Sequence, residues 1–142
     1  MLFTTHLTVT LLVAGMMWFV QVVHYPLMRH VGITSFVSYE TAHTRRAIGL
    51  VVSAMALELV TGVLLLRFPP PGISLRQIWL GVGTLGVIWL ATFVLQVPQH
   101  RILARGFDAR AYRRLVTSNW IRTLAYSVRG GLVLWMLGSL VR

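Results

Sequence analysis

The chain has 142 residues, of which 56% are hydrophobic and only 11% charged. A soluble domain of this length carries about 25% charged residues, so most of this surface is expected to face lipid, with no room for a separate soluble catalytic module. The formal charge of +10 lies on arginines between apolar runs, as in cytoplasmic loops rather than nucleic-acid faces, and the absence of cysteine excludes disulfides, thiolate metal sites and covalent c-type haem.

The first helix is expected over 7–28. Its apolar run, 7–23, has no basic stretch before it and ends at His24, Tyr25 and Pro26 rather than at a small-residue cleavage site. It reads as a retained helix, not a signal peptide. Met17, Gln21 and His24 share one side of it. Gly32 with Thr34 or Ser35 marks a turn and a helix N-cap. The second helix, 36–66, has a polar lead-in before its apolar stretch, and Glu40, His43, Ala47, Ala54, Glu58 and Thr61 fall on heptad-like positions.

Pro69, Pro70, Pro71 and Gly72 predict a stiff, extended loop. In the third helix, 77–105, Trp89, Thr92, Gln96 and His100 share a face. Gly81, Gly83 and Gly86 lie in an apolar span with no strand before them, which suits close helix packing better than nucleotide binding. Gly106 can end this helix and Asp108 can cap the fourth, 109–141, whose inner face carries Asn119, Arg122, Tyr126 and Arg129. Each apolar stretch approaches the roughly 20 residues that cross a bilayer. The expected fold is all-α: a single-domain, integral membrane, up-down four-helix bundle with a polar interior near the cytoplasmic side. Arg29, Arg45 and Arg46 in the first connection, and Arg101, Arg105, Arg110, Arg113 and Arg114 in the third, outnumber Arg67 and Arg76 in the second. The first and third loops are then cytoplasmic and both termini outside.

At about 1.5 Å per residue, His24, His43, His100 and Asn119 reach one level near the inner interface, with Glu40 a turn from His43. Three imidazoles and a carboxylate make a plausible shell for a divalent metal, iron first, and Glu40-x-x-His43 has the spacing used in carboxylate-bridged di-iron bundles. Against this stands the plainer reading of interfacial histidines bonded to headgroups. Arg122, Asn119 and Gln96 are placed to orient a substrate, although Arg122 equally suits headgroup contact. Tyr25, Tyr39 and Trp120 fit an interfacial aromatic belt, and His6 and His30 receive no role. Pro26 and Pro98 bracket the histidine layer and are expected to bend or end their helices. Deeper in the span, Glu58 and Arg129 lie within about 6 Å of one level. Left unpaired, each would cost at least about 2.5–3.5 kcal/mol, so a pair is expected, with the second and fourth helices in contact.

His24-Tyr25-Pro26-Leu27, Tyr39-Glu40-x-x-His43-x-x-Arg46, Gln96-Val97-Pro98-x-His100 and Asn119-Trp120-Ile121-Arg122-Thr123 together resemble a family of small bacterial four-helix integral membrane proteins. The resemblance covers nearly the whole chain and implies the architecture but no activity; the expected location is a bacterial inner membrane. Three functions compete. The first is a membrane-embedded metal-dependent enzyme, an oxidoreductase acting on a quinone, isoprenoid or acyl chain. The second is a b-type haem protein with two of the three histidines as axial ligands and Arg46, Arg113 or Arg122 at the propionates. The third is a non-catalytic subunit of a larger membrane complex or a homo-oligomer.

Overall fold

The computed structural model describes residues 1–141. The chain is all-α, with four helices running alternately up and down: α1 (Leu2–Met28), α2 (Ile33–Arg67), α3 (Leu75–Leu103) and α4 (Ala109–Leu140). Short connections keep successive helices antiparallel, so His6 near the start of α1 meets Thr61 near the end of α2.

Local signals explain most of the boundaries. Gly32 turns the chain with its backbone alone: the Ser35 amide donates to its carbonyl at 3.0 Å, so Thr34 and Ser35 lie inside the first turn of α2 rather than capping it. A capping box that the sequence reading overlooked starts α3, with the Ser74 amide donating to Gln77 Oε1 at 2.8 Å and the Gln77 amide to Ser74 Oγ at 3.3 Å. Asp108 caps α4 as expected, accepting from the Ala111 amide at 2.7 Å. The proline loop closes in a turn in which Gly72 sits at φ 91°, the left-handed region where glycine is least strained.

Three apolar layers fill the bundle. One end holds Phe3, Leu65, Ile73, Ile78 and Met136. The middle holds Val13, Met17, Met55, Ile88 and Tyr126. The other end holds Tyr25, Met28, Phe36, Leu103 and Leu115. Two polar layers separate them. Around the bundle each helix neighbours the next, and α4 closes back onto α1. α2 and α4 therefore face each other across the diagonal, and the contact expected between them is replaced by side chains reaching through the interior.

Pro26 and Pro98 end neither helix. Each lies just past a segment of wider π-type turns, Val20–His24 in α1 and Thr92–Gln96 in α3. A proline offers no N–H to the carbonyl one turn earlier, and a π turn absorbs that mismatch without breaking the rod. A third such segment, Ile48–Val52 in α2, has no proline to cause it.

By length and composition α1, α2 and α3 are apolar enough to cross a membrane. α4 is not among them, and it carries Asn119, Arg122, Tyr126 and Arg129 along its length. All four of those side chains are buried within the bundle.

Candidate functional site

The polar layer toward the chain ends is closed and cross-braced. Arg129, 1% exposed, donates from Nε to Glu58 Oε1 at 2.7 Å, from Nη1 to the Gly81 carbonyl and to Thr84 Oγ1, and from Nη2 to Thr10 Oγ1 at 3.4 Å. His6 completes it. The Thr61 hydroxyl donates to the Leu57 carbonyl, so His6 Nδ1–H donates to Thr61 at 2.9 Å and Nε2 accepts from Arg129 at 3.2 Å. His6 was given no role from sequence because it sits at the edge of its apolar run; in the fold it is buried. Gly62 leaves room for it, since a Cβ there would lie 3.1 Å from the imidazole Cε1. Of the three spaced glycines only Gly81 borders another helix, and its carbonyl takes Arg129. Nothing lies against Gly83 or Gly86.

The second polar layer, toward the α1–α2 and α3–α4 connections, holds the predicted site residues in two groups. The first is built on His100 of α3. Its Nδ1 lies 2.6 Å from Oε1 of Glu40, which is wholly buried on α2. The carboxylate therefore fixes the ring with Nδ1 protonated and Nε2 carrying the lone pair. The Tyr25 hydroxyl donates to that Nε2 at 3.3 Å and lies 3.4 Å from Gln96 Oε1, while Gln96 Nε2 donates to Ser118 Oγ at 2.8 Å. Tyr25, assigned from sequence to an aromatic belt, is thus an interior residue, 2% exposed. Its aromatic character at an apolar run's end resembles a belt residue, and only its partners distinguish the two. Trp120 is exposed and packs edge-on against Trp18, as a belt residue does.

The second group is built on α4. Asn119 does not join the histidines; its Nδ2 donates to Gln21 Oε1 at 2.9 Å. Gln21 in turn donates to the Val116 carbonyl at 3.3 Å. Arg122, only 6% exposed, makes one long contact from Nη1 to Asn119 Oδ1 at 3.4 Å and another from Nη2 to the Met55 sulfur at 3.6 Å. Its Nε is buried without a partner.

Between these groups lies a cavity of about 400 Å³, walled by Val51, Val52 and Met55 of α2 and by Thr92 and Val97 of α3, with Tyr25, His43, Gln96, His100, Arg101 and Arg122 among its polar lining. The π segments of α2 and α3 both contribute to its wall, and Ile48 of that wall stands exposed.

The proposed metal shell is brought to one level, but it is not one constellation. His43 bridges two spaces: its ring is 5.5 Å from that of His100 and 4.4 Å from that of His24. His24 lines a separate groove between α1 and α2 with Tyr39 and Arg46. The rings of His24, His43 and Tyr39 are stacked face to face. A ligand nitrogen uses the lone pair in the ring plane, and stacked rings do not aim those pairs at one point. Accordingly, among the described residues no group of three or more His, Asp or Glu side chains is disposed to hold a metal ion. Arg46 is exposed at the groove rim and His30 is exposed beside Arg29. No family model, no curated protein and no solved structure matches the chain, so the resemblance to small bacterial membrane proteins rests on the quoted motifs alone.

Proposed function

We propose that this chain is an integral membrane enzyme whose four helices span the inner membrane of a bacterium, and which acts on a lipid-soluble molecule admitted sideways between α2 and α3. The observation that carries this reading is the apolar cavity with three kinds of polar chemistry in its wall: a carboxylate-oriented imidazole, a tyrosine hydroxyl and a buried guanidinium. At about 400 Å³ it falls in the range of about 300–1,000 Å³ usual for small-molecule sites. Ile48 in its wall is exposed on the apolar flank, so the occupant would come from the bilayer. His100 Nε2 is the base, Glu40 positions and balances it, and Arg122 holds the negatively charged part of the substrate. Proton transfer at a substrate atom beside His100 is the step these residues support by themselves.

Purification in a mild detergent followed by mass spectrometry of the extracted lipid tests the reading. A stoichiometric single-chain or isoprenoid molecule should accompany the wild type and be lost from Ala47→Trp, which fills the cavity. An empty wild type, or a lipid that survives the filling, would end it.

A second reading keeps the metal. Nε2 of His24 and Oε2 of Glu40 are buried with no hydrogen-bond partner, as ligand atoms would be without their ion. Rotating His24 and His43 out of their stack would then let them ligate alongside Glu40, and a redox-active metal would supply the electron transfer an oxidoreductase requires. Elemental analysis decides it: about one iron or similar ion per chain, absent from His43→Ala, supports the centre, and metal-free wild-type protein removes it.

A further inference from the structure

We propose that the molecule held in this cavity is a single-chain amphiphile with a free carboxylate head, bound by the unpaired edge of Arg122. The inference rests on the cavity reading above and names the class of ligand within it.

The argument is a count of charges followed by one of donors. The chain has three acidic residues, Glu40, Glu58 and Asp108. Glu40 is held by His100, Glu58 by Arg129, and Asp108 caps α4. No acidic side chain is left for Arg122, and among the described residues no carboxylate lies within salt-bridge distance of it. Yet Arg122 is 6% exposed and lines the cavity. Buried guanidinium groups are ordinarily paired, as Arg129 is two turns further along the same helix face.

The free donors also have a shape. Nε and Nη2 form one edge of a guanidinium, and that edge binds the two oxygens of a carboxylate side by side. On Arg122 that edge is the unused one: Nε is unpartnered, and Nη2 meets only the soft Met55 sulfur. A neutral quinone or alcohol would leave one of these donors idle and the charge uncompensated. A carboxylate satisfies both, and its chain then lies along the apolar wall of Val51, Val52 and Val97 toward Ile48.

The test is a calorimetric titration of the protein, stripped of co-purified lipid and held in a non-ionic detergent, with laurate, methyl laurate and dodecanol. These share a chain and differ at the head. Wild type should bind laurate at least about tenfold more tightly than either neutral analogue. Arg122→Gln should lose that preference while keeping the affinity for the ester, and Arg122→Lys should retain part of it. The wild-type comparison stands even if Arg122→Gln fails to fold. Equal binding of acid and ester by the wild type overturns the carboxylate assignment and leaves the cavity reading intact. Binding of none of the three overturns the single-chain carboxylate, and the lipid that accompanies the purified protein then decides the cavity reading. Displacement of laurate by phosphatidylglycerol would assign the guanidinium to a headgroup phosphate and overturn the single-chain ligand.

Discussion

Arg122 and Arg129 are the same residue type on the same face of α4, and their surroundings divide them. Arg129 spends its donors on Glu58, Gly81, Thr84, His6 and Thr10, and is a brace. Removing one member of a buried pair leaves the other charge uncompensated, at a typical cost of about 3–5 kcal/mol. Arg129→Met should therefore lower unfolding stability in mixed micelles by that amount, while Glu58→Leu combined with Arg129→Met should recover most of it. A loss below about 1 kcal/mol for the single change would mean that the brace contributes little. The helical spacing made this pair legible in the sequence, because a charge deep in an apolar run needs a partner. The same logic did not separate His6 or Tyr25 from interfacial residues. Both sit where an apolar run begins or ends, and their burial depends on what the other helices bring to them.

At the scale of elements, spacing alone placed the polar stripes. Glu40, Gln96, Asn119, Arg122 and Arg129 are all buried, as one-sided stripes require. What spacing did not convey was the winding of the helices. Pro26 and Pro98 pointed to local breaks, whereas the chain answers with π turns and runs on. Ile48–Val52 carries no proline and so no local signal at all. A π turn holds one residue more than an α turn, and one residue rotates a helix by about 100°. Pro98→Ala restores the donor missing from α3 and permits its return to α winding, which would turn His100 away from Glu40. The expected result is a folded protein in which the ¹⁵N NMR signals of His100 no longer show the tautomer with bare Nε2. Wild-type signals in the variant would mean that packing, not the proline, maintains the π segment.

At the scale of the molecule, the four-helix order was legible from hydropathy and turn residues, but the arrangement around the ring was not, since adjacent and diagonal partners leave the same pattern in a stripe. The proposed orientation has its own check. The chain contains no cysteine, so single cysteines report without interference. Pro71→Cys should react with an impermeant maleimide in intact cells, and Arg105→Cys only after permeabilisation; the opposite pattern would invert the topology.

The diagonal span of Glu58 to Arg129 bears on how the protein is made. The carboxylate belongs to the second helix to be synthesised and its neutralising guanidinium to the last. Through the intervening synthesis, Glu58 sits in a hydrophobic rod with its counter-ion still to be translated. Until α4 is in place that carboxylate has no partner, and the brace cannot form.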